Sequence, residues 1–445
     1  MSKARDQQIT AETRKQIGRL EAEGWYHSIR FPDGRVTAGH QSEEQLRWRI
    51  AQFPIPPDLT GKRVLDIGAW DGWFSFEMER RGATVMAVDV REYATFLEAR
   101  RVLGSNVEYH IDDVMDITPE RYGHFDIILF FGVLYHLKHP LLALERVCAL
   151  SKDMVCVESY VTNASPDAPA AMEFYEQREL CGQFDNWVGP NVACLLAFSR
   201  TAGFARVELH GVIDQRAHVT CLRKWADRPG PADEAPNMSP DIVAVENSLR
   251  GGTHFTRRAD EYASLWFKSR VENLTCENVF PRVGEFGVPP AIVDSTGGDG
   301  WLVNFMVPPG LEDGWHDVTI AVEDSPWSSP VPITLGLAVS PPAVDEVGGP
   351  IEIALATDGK TWERDRVHGG PGACVSLWVR GLAAGSQVEV LLDGRGYPAT
   401  FVSRPDAQGL SQVNAILPGD LEEGPVAIAV RRGTVQSPAR QVEIV

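Results

Sequence analysis

VLDIGAWDGWF, residues 64–74, runs an apolar segment into an acid, turns through glycines and continues into aromatic residues. This is the pattern of a buried strand, a glycine-rich turn and a helix that opens an α/β sheet, where ligands sit beyond the carboxyl ends of the strands. A second apolar run, ATVMAVDV, ends at Asp89 and Val90, with Asp89 21 residues after Gly68. That spacing suits a carboxylate accepting hydrogen bonds from ribose hydroxyls. The bland alternative for the turn alone is a strand-turn-helix without a ligand.

The charges of the turn discriminate between ligands. A dinucleotide fold needs G-x-G-x-x-G with bare N–H groups facing a pyrophosphate. Here Gly68, Ala69 and Gly72 contain no G-x-G, and Asp66 and Asp71 flank the turn. Negative charge there repels a pyrophosphate and attracts an ammonium or sulfonium. S-adenosylmethionine (SAM) carries a ribose, an amino group and a sulfonium without any phosphate, so SAM is the expected cofactor.

Working outward, strands are expected at 62–67, 83–89, 106–111, 125–131 and 153–159, with helices between them, and FARVEL and AHVTCL read as a final antiparallel pair. Alternation of this kind makes a parallel, Rossmann-like α/β sheet. Residues 1–60 are expected to form a helical arm and cap, 61–225 the α/β domain, and the Pro- and Asp-rich stretch 226–241 a linker. Beyond it the chain breaks into short alternating runs. SLWF at Ser264 recurs as SLWV at Ser376, and VNFMVPPGLEDG at Val303 recurs as VNAILPGDLEEG at Val413. Two anchors repeated in order at offsets near 110 residues indicate a duplicated module. Two all-β immunoglobulin-like sandwiches, 242–336 and 337–445, are the expectation, with Trp266 and Trp378 in their cores.

Several residues are placed to carry chemistry. In HIDDVMDI, Asp113 with Val114 suits an adenine, with a carboxylate for the amino group and a backbone N–H for the ring; a solvated acidic turn is the other reading. FDIILFFGVLYHLKHP carries apolar residues to Phe131 and breaks at Gly132, which puts Tyr135 and His136 beside a transferable methyl group. A hydroxyl nucleophile needs its proton removed, and an imidazole of ordinary pKa near ~6.5 suits that task. His136 is thus expected as the base, or else as a residue that hydrogen-bonds its own loop. Glu158 and the insertion residues Asn186, Trp187 and Asn191 are expected on a substrate lid; a hydrophobic cap serves equally for Trp187. Tyr26 and His27 close the other side, unless GWYHSIRFPDG is only a packed arm.

Composition excludes several classes. The chain has 445 residues and a formal charge of -19, and residues 281–445 hold 10 Lys plus Arg against 21 Asp plus Glu. Nucleic-acid tracks need clustered cations, so a nucleic-acid partner is not expected. The seven cysteines lack any C-x-x-C pair and read as reduced thiols. His136 and His139 have no sequence-local third ligand, so no metal is expected. With no run of 18 apolar residues and no apolar signal core, no membrane span is expected and the location is read as cytoplasmic.

On LTGKRVLDIGAWDGWFSF, FDIILFFGVLYHLKHPLLALE, VESY and NWVGPN followed by AGF, about residues 20–222 resemble the class I SAM-dependent methyltransferases. Within them, the likeness is to the group related to the tRNA wobble-uridine carboxymethyl transferases. The resemblance implies that Asp66, Gly68 and Gly72 line the methionine end of the cofactor, Asp89 the ribose, Asp113 and Val114 the adenine, and that Tyr135 lies near the transferred group. The carboxymethylating members place a lysine before the first strand, whereas here the aligned position is Leu46 with Arg47 beside it. Methyl transfer from ordinary SAM to a hydroxyl of a glycan, glycolipid or other polyhydroxylated molecule is therefore the leading expectation. Its alternatives are tRNA methylation or carboxymethylation, and a scaffold with a vestigial SAM fold. The β modules are expected to hold an acceptor, an oligomer partner or another protein.

Overall fold

The structure is a computed structural model. It describes residues 10–445 except 163–164, 166, 227–238, 250, 257–260, 337–349, 360, 362, 371, 383–385, 387, 404, 406–408, 420 and 434. The chain divides into two compact units, the first comprising Met1–Asp227 with the short segments Glu285–Pro289 and Pro308–Leu311. Most of the expected linker, 227–238, lies outside the described residues.

The first unit begins with helix α1 (Ala11–Glu23), followed by strands β1 (Trp25–His27) and β2 (Gly39–Gln41), which pair in parallel, and helix α2 (Glu43–Ile50). A capping box starts α2: Ser42 accepts from the Gln45 N–H while the Gln45 side chain accepts from the Ser42 N–H, which satisfies two of the orphan donors at the helix start.

Five strands then alternate with helices, namely β3 (Arg63–Ile67), β4 (Thr84–Asp89), β5 (Glu108–Ile111), β6 (Phe125–Phe131) and β7 (Ser151–Tyr160). The intervening helices are α3 (Trp73–Arg80), α4 (Ala94–Leu103), the short α5 (Pro119–Tyr122) and α6 (Pro140–Leu150). A small antiparallel pair, β8 (Met172–Phe174) and β9 (Val188–Pro190), precedes α7 (Val192–Thr201), β10 (Arg206–Ile213) and β11 (Arg216–Leu222).

The seven-stranded sheet has the order β10-β11-β7-β6-β3-β4-β5. Strands β3 to β7 pair in parallel, and β11 and β10 add antiparallel at one edge. Successive residues serve opposite layers. Val64 and Ile127 pack with Trp25, Leu46, Phe74 and Phe96 on one face, while Leu65 and Ile128 pack with Leu144, Leu195 and Phe204 on the other. Burial on both sides explains why these strands read as unbroken apolar runs. The chain steps from β3 to β4 and β5 in one direction and returns to β6 and β7 in the other, so the strand order reverses at β3 and β6. That reversal opens a crevice at their carboxyl ends. This unit has the class I methyltransferase fold expected from the sequence.

The second unit is built of mainly antiparallel sheets, and the duplication is visible in its register. Tyr262–Lys268 lies between Asp241–Asn247 and Gly300–Met306, as Cys374–Arg380 lies between Glu352–Asp358 and Leu410–Ile416. Leu265 faces Val303 where Leu377 faces Val413, and Ser264 faces Asn304 where Ser376 faces Asn414. In the second module, Val375, Leu377 and Val379 of one sheet share a core with Val390, Ile428 and Val442 of the other, which is sandwich packing. The two tryptophans depart from expectation. Ala263, Leu265 and Phe267 are buried while Trp266 is only half-buried, and Trp378 is likewise half-buried between buried Leu377 and Val379. A strand's side chains alternate between faces, so the core positions fall to the neighbours of each tryptophan. Among the described residues, no helix is long and apolar enough to cross a membrane.

Candidate active site

The turn after β3 depends on glycine at a specific point. Gly68 has φ +76°, and a Cβ there would run into the Val133 side chain, so both the backbone conformation and the space favour glycine. The Gly68 N–H donates to Val88 O at 2.8 Å, which folds the turn against the end of β4. Asp89 holds the far side, with Oδ2 accepting from the Trp70 N–H at 3.0 Å and Oδ1 from the Val90 N–H at 2.8 Å. Burial raises the Asp89 pKa against the effect of those bonds.

Asp66 is almost fully buried, and Ser75 Oγ donates to its Oδ2 at 2.6 Å. Burial pushes its carboxyl up to about 7, opposed by the Ser75 bond and assisted by the Asp89 charge. A carboxylate in this position gains from a cation brought to it. Asp71 behaves differently from its neighbour. Its Oδ2 accepts the N–H groups of Tyr26 at 2.6 Å and His27 at 2.8 Å, and its Oδ1 accepts from Thr95 Oγ1. The negative charge read at this side of the turn therefore anchors the N-terminal arm.

A cavity of about 500 Å³ opens at the reversal of strand order, within the usual range for small-molecule sites. Asp66, Gly68, Asp89, Val90, Asp113 and Val114 line one part of it. Phe131, Gly132, Tyr135 and His136 line another, and Tyr26 and His27 close over it from β1. Asp112 lines the cavity as well as Asp113, and the two differ in their bonding. Asp112 Oδ2 pairs with Arg121 and accepts from Tyr122 Oη, whereas Asp113 uses one oxygen for the Met115 N–H at 2.9 Å.

Other expected residues stand outside the lining. Gly72 caps α3, and a Cβ there would strike the Phe96 ring; Ala69 is buried in the core beneath the turn. Asn191 caps α7 through the Cys194 N–H and binds Pro169 O and the Ala171 N–H. Asn186 donates to Leu180 O and Gln183 Oε1, inside its own loop. Trp187 donates its backbone N–H to Tyr135 O at 2.8 Å, and Lys138 Nζ lies 4.0 Å from its ring centre. Glu158 sits behind the wall between two guanidiniums, 2.8 Å from Arg49 Nη2 and 3.5 Å from Arg216 Nε.

Those two arginines are the main residues the sequence argument missed, and both line the cavity. Arg49 lies one turn beyond buried Leu46 on α2, so helical spacing from Leu46 points to it rather than to Arg47, which is exposed and pairs with Glu43. Arg216 begins β11 and donates to Tyr135 Oη at 2.9 Å. Burial lowers its pKa, but the Glu158 and Tyr135 charges outweigh that and leave it above the ordinary arginine value. No local motif marks it. Trp70, which stacks on Tyr93 with ring centres 5.1 Å apart and packs against Tyr26 at 4.7 Å, was likewise unread.

The two cavity histidines are both shifted toward the neutral form, with different partners. Burial, with the Arg49 charge, lowers the His27 pKa to about 3, so its ring is neutral at working pH. His136 Nδ1 lies 3.0 Å from Asp185 O. A carbonyl oxygen can only accept, so Nδ1 carries the hydrogen and Nε2 holds the free lone pair. Burial lowers the His136 pKa below its ordinary value, partly offset by Asp185.

Comparison with known proteins bears on the first unit. The family described as a methyltransferase domain matches residues 38–192. The tRNA U34 carboxymethyltransferase of Pseudomonas paraeruginosa (strain DSM 24068 / PA7) is 30% identical over 187 residues, covering 40% of this chain and 56% of that protein. The protein of the same name from Azotobacter vinelandii (strain DJ / ATCC BAA-1303) is 30% identical over 174 residues, covering 37% and 52%. The chain thus spans about half the length of the relatives it matches. Among solved structures, the N-terminal domain of EvdMO1 with SAH bound is 22% identical, with a TM-score of 0.38, covering 48% of this chain and 97% of that one. The Burkholderia thailandensis 1,6-didemethyltoxoflavin-N1-methyltransferase is 19% identical, with a TM-score of 0.30, covering 37% and 71%.

Proposed function

We propose that the first unit is a SAM-dependent methyltransferase acting on a hydroxyl of a glycan, glycolipid or similar polyhydroxylated molecule. The observation that carries this reading is the convergence of Asp66, Asp89, Asp113 and His136 on one cavity at the reversal of strand order. The methyltransferase-domain match over 38–192 supports the reaction class.

The cavity's chemistry fits SAM group by group. Asp66, buried and pushed up to about 7, suits an α-ammonium. Asp89 keeps acceptor capacity for a ribose diol beyond its bonds to the backbone N–H groups of Trp70, Val90 and Arg91. Asp113 and Val114 suit the adenine edge. Arg49, which lines the cavity while bonded to Gln41 Oε1 and Glu158, is the cation available there for the methionine carboxylate. Bound there, SAM supplies an electrophilic methyl group.

The chain's own residues would do the rest. Tyr26, His27 and Phe74 narrow the cavity and restrict water. His136, neutral near pH 7, takes the acceptor hydroxyl proton on Nε2 while Asp185 O holds Nδ1–H and fixes the ring. Positioning of the two reacting groups supplies much of the remaining rate.

The tRNA reading stands second, favoured by the 30% identity to tRNA U34 carboxymethyltransferases. Labelled methyl transfer from SAM, offered separately to a glycan fraction and to bulk tRNA, decides between them. Incorporation into the glycan fraction supports the first reading, and incorporation into tRNA alone replaces it with the second.

A further inference from the structure

His27 carries polar atoms that the fold leaves unanswered. The residue is 4% exposed, and its Nδ1 is buried without a hydrogen-bond partner among the described residues. Its backbone is tied down, the N–H donating to Asp71 Oδ2 at 2.8 Å and the carbonyl accepting from Thr37 Oγ1 at 3.4 Å. The ring stands edge-on to both Tyr26 and Phe74, with ring centres 5.2 and 5.5 Å away. A neutral imidazole carries one hydrogen, and a buried N–H without an acceptor is the rarer orphan, so the hydrogen belongs on Nε2. His27 lines the cavity and Nδ1 is closed off, which leaves Nε2 to face the cavity as a donor.

Phe74 joins this donor to a cation. Arg49 lies over the ring that His27 meets edge-on, 5.3 Å from its centre. Arg49 gives one N–H to Gln41 and one to Glu158, and a guanidinium has five. The next residue of α3, Ser75, donates to Asp66 Oδ2 at 2.6 Å. Successive residues of one helix therefore bring two donors and one carboxylate to the same part of the cavity, which His27, Arg49, Phe74 and Asp66 all line. An α-amino acid carries its ammonium and its carboxylate on one carbon, so the acid that holds the first and the donors that hold the second have to adjoin.

We infer that His27 Nε2–H and Arg49 together hold the carboxylate at the methionine end of the cofactor, while Asp66 takes the ammonium on the same carbon. This rests on the SAM reading proposed above. It makes His27 a cofactor-binding residue, whereas the sequence pointed it at the acceptor.

The test is calorimetry of the full chain with S-adenosylhomocysteine (SAH) and with decarboxylated SAH, which keeps the adenosine, the sulfur and the ammonium and lacks only the carboxylate. The wild type should bind SAH the more tightly. His27→Phe, which keeps an aromatic ring against Phe74 but has no N–H, should weaken SAH about tenfold to a hundredfold and decarboxylated SAH by less than about twofold. His27→Gln, whose amide N–H can stand near the position of Nε2, should recover most of the SAH affinity. Equal weakening of both ligands in His27→Phe would mark the ring as a support of the arm only. That result overturns the assignment, as do unchanged SAH affinity in His27→Phe and a Gln variant no better than Phe. Failure of the wild type to bind either ligand contradicts the SAM reading instead, so the two failures are distinguishable.

Discussion

Asp71 Oδ2 accepts the His27 N–H at 2.8 Å, joining the cofactor turn to a strand 44 residues earlier in the chain. The same oxygen takes the Tyr26 N–H. One carboxylate thus couples the turn's conformation to the arm that closes the cavity. Asp71→Asn removes the charge from these bonds at a buried site. It should cost about 1.5 to 3 kcal/mol in urea unfolding and weaken SAH binding as the arm loosens. Unchanged stability and affinity would show that the arm is held by its apolar contacts alone.

Asp66 gives the pH dependence a definite sign. Its carboxyl is pushed up to about 7 by burial, and a bound ammonium favours the ionised form. SAH should therefore bind more tightly as pH rises from 6 to 8, with proton release on binding in the acid half of that range. Calorimetry in buffers of different ionisation enthalpy measures the released proton. In Asp66→Asn the pH dependence should disappear along with much of the affinity.

His136→Ala should lower turnover about 10²- to 10⁴-fold while leaving SAH affinity near wild type. The wild-type rate should fall as pH drops below the lowered histidine pKa, since a protonated ring cannot take the acceptor's proton. A purely structural histidine would show loss of folding or of both ligands together. A variant that turns over within a few-fold of wild type leaves the base to be sought among the other cavity-lining groups, Tyr135 and His27.

The sandwich register predicts where the second unit is sensitive. Phe267 is fully buried, so Phe267→Ala should destabilise by about 3 to 5 kcal/mol. Val379 is its counterpart in the duplicated strand and is equally buried. Val379→Ala should cost less, in proportion to the smaller volume removed. Calorimetric melting of the variants checks both, and a negligible effect at Phe267 would contradict the assigned register.

What the sequence disclosed follows from how locally each feature is encoded. Strands β3, β4 and β6 are legible because burial on both faces makes them continuous apolar runs, and Asp66 and Asp89 lie at the ends of two of them, whereas β5, which precedes Asp113, is largely exposed and reads less clearly. The duplication was legible because register repeats as text. Asp71 was misread: position in the turn gives its charge, but only the tertiary fold shows that β1 returns to it. Arg49 and Arg216 come from an N-terminal helix and a late antiparallel strand and meet only at Glu158, so no spacing announces them. Trp266 and Trp378 are expected in the core as the repeated anchors of the modules, and the alternation of buried neighbours gives those positions to the residues beside them.

Occupancy of the cavity by SAM underlies every role given to its lining residues. Isothermal calorimetry of the full chain with SAH, repeated with NAD and with Asp89→Ala, tests that claim without needing an acceptor. The expected result is binding of SAH, none of NAD, and about a tenfold to hundredfold weakening in Asp89→Ala from loss of charge-assisted bonds. Equal SAH affinity in the variant, or preference for NAD, would contradict it.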